Sequence, residues 1–253
     1  MRILAAGSLK AVWPALMAYF PEPVETRFGP AGLLRERIEA GEPCDLFASA
    51  SEEHPQKLLN AGRALAVIPF TTNKLCITVR SDRLQAGDDW YQLLTRDTLR
   101  IAISTPTADP SGDYAQALFT RMGKAGEAMR QRAKALVGGR DSVPIPAGRL
   151  AAEWIILEDQ ADLFIGYASH RAALSQIAGL TVVDIPAVFN PVARYACAVI
   201  TPEARRLADF FRIGAGKKGT AGSGIWREVN AFSVADDFAP CQHLALRARN
   251  TAH

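Results

Sequence analysis

Apolar runs of strand length alternate along this chain with amphipathic stretches of helix length, the pattern of an α/β protein built on largely parallel sheets. Residues 2–6 read as a strand and residues 10–20 as a helix, with Val12, Leu16 and Phe20 recurring on one face. Residues 24–28 form a second expected strand, 32–40 a second helix facing a core through Leu33, Leu34 and Ile38, and 45–48 a third strand. A helix over 55–60 is closed by Gly62, where a left-handed backbone ends a helix at low cost. An extended strand over 75–79 opens a second series: strand 99–103, helices 111–122 and 150–158, strands 163–167, 181–185 and 195–200, and a helix over 202–211. The character then changes. Residues 214–224 hold five glycines in eleven positions, so a flexible segment is expected over 213–224, with at most a short helix at 225–232 beyond it.

Composition narrows the function. A chain of 253 residues with 49% hydrophobic content can bury a full core in one large domain or two lobes. Its net charge of +3 is too small and too evenly spread for a nucleic-acid partner, though it suits a small anion. No apolar run approaches the ~18 residues that cross a bilayer. Met1-Arg2 leads straight into the first strand without an export signal, which leaves a chain trimmed to its mature start, a misplaced start codon, or a cytoplasmic protein. Cys44, Cys76, Cys197 and Cys241 lie far apart with no CxxC pair, and buried unpaired thiols are expected. His54, His170, His243 and His253 show no metal-ligand spacing. There is no nucleophile elbow, P-loop, HExxH or dinucleotide fingerprint, so the expectation is a binding protein without catalytic residues, cofactor or metal.

In open α/β sheets ligands bind beyond the carboxyl ends of strands, where helices begin and free N–H groups point outward. Three turns qualify here. In the first, residues 6–10, Ser8 can donate its hydroxyl or serve only as a helix cap. The second, residues 28–32, is made of small residues that allow close approach to the backbone. The third, residues 109–114, offers the Ser111 hydroxyl and main-chain amides; its Asp109 and Asp113 are expected as solvated loop carboxylates.

Three runs together, AAGSL over 5–9, GPAGLLRERIEAG over 29–41 and PCDLFASA over 43–50, resemble the molybdate- and tungstate-binding proteins of bacterial ABC importers. NKLCITV over 73–79, DPSGDYA over 109–115, LFIGYA over 163–168 and YACAVI over 195–200 follow in that family's order, so the resemblance spans roughly residues 2–211. It implies a two-lobed periplasmic-binding-protein fold of type II, with two mixed sheets flanked by helices and a hinge of two crossover strands. Lobe one would hold residues 1–78 plus 197–253, and lobe two residues 79–196. It further implies a periplasmic, monomeric protein that binds the oxyanion in the cleft and hands it to a membrane permease.

The ligand positions that carry over are Ser8, Ala31, Ser111, Arg149 and Tyr167. Two depart from the family's pattern. Ala31 replaces a serine and leaves only its amide. Arg149 stands where a small or apolar residue is usual, and either pairs bidentately with an oxyanion or is a surface arginine at a helix start. Tyr167 ends an apolar strand, and reaches the cleft or belongs to the core. The alternative class is a cytoplasmic sensor or effector-binding module for another small anion. An enzyme would have to draw on Lys10, Arg149 and the loop aspartates.

Overall fold

The computed structural model describes residues 1–216 of the chain. The order of elements is β1 (Arg2–Ala6), α1 (Trp13–Met17), β2 (Glu25–Gly29), α2 (Ala31–Glu39), β3 (Leu46–Ser49), α3 (Glu53–Asn60), β4 (Ala66–Asn73), β5 (Leu75–Arg80), α4 (Trp90–Thr95), β6 (Ile101–Ser104), α5 (Pro110–Arg121), α6 (Lys124–Arg132), β7 (Lys134–Val137), α7 (Ala151–Leu157), β8 (Leu163–Tyr167), α8 (Arg171–Leu174), β9 (Leu180–Asp184), β10 (Ala193–Val199) and α9 (Arg205–Gly216). They build two five-stranded mixed sheets, β2-β1-β3-β10-β4 and β7-β6-β8-β5-β9, each flanked by helices.

The chain passes from the first sheet to the second between Asn73 and Leu75, and returns between β9 and β10. The first sheet thus draws on residues 2–73 and 193–199, and the second on residues 75–184. Asn190 locks the passages together. Its Oδ1 accepts from the Leu75 amide at 2.9 Å and its Nδ2 donates to the Leu75 carbonyl at 2.7 Å, so an entirely buried side chain replaces a rung of sheet ladder.

Strands β1 and β3 are buried along nearly their whole length because helices cover both faces, which is why they read as continuous apolar runs rather than alternating ones. The core of lobe one continues into an aromatic layer, with Trp13 edge-on to Phe28 at 5.9 Å and Phe211 of α9 against Phe70 at 5.4 Å.

The expected helix over 10–20 is broken. Residues Gly7–Leu9 form a 3₁₀ turn and α1 starts only at Trp13, with Pro14 in its first turn, where proline's missing N–H costs nothing. Strand β4 was not expected from the sequence, because Pro69 interrupts its apolar pattern; the strand occupies the sheet edge, where proline is tolerated, and its register with β10 shifts beside Pro69. Helix α9 takes in the first residues of the expected glycine-rich flexible segment. The rest of that segment, the short helix at 225–232, Cys241, His243 and His253 lie outside the described residues. Cys44, Cys76 and Cys197 are buried and unpaired, as expected, and burial pushes the first two thiols up to about 12.

Candidate functional site

Between the lobes lies a cavity of about 670 Å3. Its walls bring together Ser8, Ala31, Ser111, Arg149 and Tyr167, which are far apart in sequence. The carboxyl ends of β1, β2, β6 and β8 open onto it, as expected of a parallel α/β sheet.

Ser8 stands in the 3₁₀ turn that follows β1, and its Oγ lies 2.9 Å from the hydroxyl of Tyr195. Tyr195 is wholly buried on β10 and accepts a hydrogen bond from Asn73 Nδ2 at 3.3 Å. With the phenol oxygen accepting from Asn73, the phenol proton is available to Ser8, and the serine's own proton is left for a ligand. Asn73 also holds lobe two: its Nδ2 donates to Ser169 Oγ at 3.0 Å, and its Oδ1 accepts from the Ser169 amide. One amide side chain at the first crossover thus joins the serine turn to the segment that follows β8.

Tyr167 ends β8 with its ring 6.0 Å from that of Tyr195. It is buried with its hydroxyl facing the phenol of Tyr195, and among the described residues it meets no hydrogen bond of good geometry, an arrangement that costs free energy unless a ligand or solvent completes it. Burial, the neighbouring Tyr195 and the Asp109 carboxyl all hold this phenol in its protonated, donating form.

The third turn differs from expectation. Asp109 is not a solvated carboxylate: it is the N-cap of α5, its side chain accepting from the Ser111 amide at 3.1 Å while its carbonyl accepts from Gly112 N. The amides expected to face an anion are therefore already occupied, and only the Ser111 hydroxyl remains. Burial raises the Asp109 pKa to about 6, partly offset by the Ser111 amide and the Ser104 hydroxyl. Asp113 also turns inward; it accepts from the Thr107 amide at 2.7 Å, and burial raises its pKa.

Arg149 follows the second of its two sequence readings, an arginine at a helix start. Its guanidinium donates once to Glu153 at 3.0 Å and once to Glu158 at 2.7 Å, so two carboxylates of the protein share it. Its amide donates to the Pro146 carbonyl at 3.2 Å. Arg149 contributes to the cavity wall, and its charge is already partnered. Among the described residues Lys10, exposed at the rim, is the other cationic side chain of the lining apart from His170, whose charged form burial disfavours.

Ala31 is the first residue of α2, whose positive dipole end faces the cavity. Next to it the lobes touch. The Gly32 amide donates to the Ala108 carbonyl at 2.9 Å, and a Cβ on Gly32 would stand 2.1 Å from the Thr107 carbonyl oxygen. Tyr114 of α5 reaches over to the Ala50 carbonyl, and Arg140 pairs with Glu36 across the same line. The second turn is thus in direct backbone contact with Thr107 and Ala108, the residues that lead into the third. Asn73, Tyr195, Ser104 and His170 were not among the ligand positions that the resemblance implied. Only the polar Asn73 at the end of an apolar run offered a signal.

Two lobes joined by two crossovers, with an interlobe cavity at the carboxyl ends of their strands, define a type II periplasmic-binding-protein fold. The family model described as bacterial extracellular solute-binding protein matches residues 1–221, and the chain belongs to that family. It is 47% identical over 218 residues to the uncharacterized protein PM1146 of Pasteurella multocida, covering 83% of this chain and 90% of the relative. Among solved structures it resembles the periplasmic molybdate-binding protein of Azotobacter vinelandii, at TM-score 0.68 and 22% identity over 94% of this chain and all of that one. It also resembles the sulfate-binding protein SubI of Mycobacterium tuberculosis, at TM-score 0.67 and 20% identity over 91% and 85% of the two chains. At these identities the two structures establish the shared fold.

Proposed function

We propose that this chain is the substrate-binding component of a bacterial ABC importer, that it takes a small anion into the interlobe cleft outside the cytoplasmic membrane, and that it hands the anion to a membrane permease without catalysing a reaction. The observation that carries this reading is the buried hydroxyl of Tyr167, whose hydrogen bonding among the described residues is incomplete. A buried phenol, held protonated, lines the same cavity as the Ser8 and Ser111 hydroxyls and the α2 N-terminus. Such a set donates hydrogen bonds without adding a full charge, which suits a dianion whose hydration must be replaced by fixed dipoles.

Molybdate and tungstate are the inorganic candidates, supported by the resemblance of the runs at 5–9, 29–41 and 43–50 and by the molybdate-binding neighbour. Isothermal titration with molybdate, tungstate, sulfate and phosphate in one buffer tests the reading. Sub-micromolar binding of molybdate and tungstate alone supports that specificity. Preference for another anion keeps the transporter role and removes the metal oxyanions; no binding of any anion removes the role itself.

A further inference from the structure

The cavity is larger than an inorganic oxyanion requires. A tetrahedral anion of five heavy atoms displaces on the order of three waters, or ~100 Å3, against a cavity of about 670 Å3. Volumes of that order house organic ligands. The surplus space is also lined in a particular way. Residues 138–150, between β7 and α7, form one wall, and there Val143 is 65% exposed and Ile145 39% exposed. Large apolar side chains held in solvent beside a cavity mark a surface that a ligand covers. Pro144 and Pro146 alternate with them and restrict the backbone, so the wall is stiffened before any ligand arrives. Phe28, Pro30 and Leu33 line the cavity from lobe one.

The polar end carries its own constraint. Asp109 belongs to the same lining as Ser8, Ser111 and Tyr167, and of the cationic side chains among the described lining residues Arg149 is bound to Glu153 and Glu158 while Lys10 is exposed at the rim. A permanently ionised sulfonate or sulfate ester brings only acceptors to the Asp109 carboxyl. A phosphate monoester, whose second ionisation lies near pH 6, can present a P–O–H donor instead.

We infer that the natural ligand is a small phosphate monoester, its phosphoryl group held by Ser8, Ser111 and Tyr167 and its organic body laid along Val143 and Ile145. This rests on the anion-transport reading of the same cleft and specifies its substrate class.

The test is titration of the full chain with n-butyl phosphate beside inorganic phosphate, molybdate, tungstate and sulfate, repeated on the double variant Val143→Ser/Ile145→Ser. Both substituted positions are partly or largely exposed, so the variant should keep its fold, and retained binding of an inorganic anion checks that directly. The expected result is binding of n-butyl phosphate at least about tenfold tighter than inorganic phosphate, with that advantage lost in the double variant. If n-butyl phosphate binds no tighter than phosphate, or keeps its advantage in the double variant, the substrate class is wrong while the anion-transport reading stands. If no anion binds, both fall.

Discussion

The hydroxyls of Ser8 and Tyr195 lie 2.9 Å apart although 187 residues separate them, and Tyr195 is in turn bonded to Asn73 at the crossover between the lobes. The relation orients a donor. If Tyr195 fixes the Ser8 hydroxyl, Tyr195→Phe should weaken binding of the tightest anion in the titration panel by about ten- to hundredfold, the scale of one charge-assisted hydrogen bond. Ser8→Ala should cost a similar amount. The double variant should cost little more than either single one, because both act on one hydrogen bond. Additive losses in calorimetry would show that Tyr195 acts elsewhere.

Closure depends on the absence of a side chain at position 32. A Cβ there would stand 2.1 Å from the Thr107 carbonyl oxygen and 2.8 Å from that of Ala108. Gly32 lies inside α2, where alanine favours the helix by ~1 kcal/mol. Gly32→Ala should therefore leave thermal stability unchanged or raised while anion affinity falls at least about tenfold, and small-angle scattering should show a wider interlobe angle in the presence of ligand. Equal affinity in variant and wild type would mean that the lobes need not meet at this point.

Much of the architecture was legible because β1, β3 and β8 are continuous apolar runs bounded by small-residue turns, and because α2 and α5 start directly after such turns. What escaped was non-local. Strand β4 hides behind Pro69, which is acceptable only because β4 lies on a sheet edge. The resemblance pointed to Ser8, Ala31, Ser111, Arg149 and Tyr167, which line one cavity, but the partners of these side chains were not legible. Nothing near Arg149 in sequence distinguishes an arginine that reaches an anion from one bound by Glu153 and Glu158. Asp109 looked like an ordinary loop carboxylate because its burial depends on β7 and the glycines that follow it.

Arg149 supplies a contrasting prediction. Its guanidinium is held by Glu153 and Glu158, the latter half-exposed. Arg149→Ala should leave anion affinity within about twofold of wild type and shift the melting temperature only slightly, as is usual for a solvent-exposed ion pair. Circular dichroism melts and calorimetry on the same variant check both halves. A large loss of affinity with an unchanged melt would return the guanidinium to the ligand site.

Asp109 should announce itself in the pH dependence of folding. Burial raises its pKa to about 6 in the folded protein, from 3.8 in the absence of that burial. Between those values the native state binds a proton that the unfolded chain has released, so stability falls as pH rises through the interval. The stabilising contribution is complete below the unfolded value and gone once pH passes the folded one. Asn preserves the N-cap of α5 but cannot ionise. Asp109→Asn should therefore gain stability relative to wild type as pH rises from about 4 to 6, by at most about 1.4 kcal/mol per pH unit, and the difference should level off above about pH 6. Urea denaturation of both proteins across that range measures the difference directly, with the other titrating groups common to the two chains. A gap that does not change with pH would place the Asp109 carboxyl in contact with solvent rather than within the cap of α5.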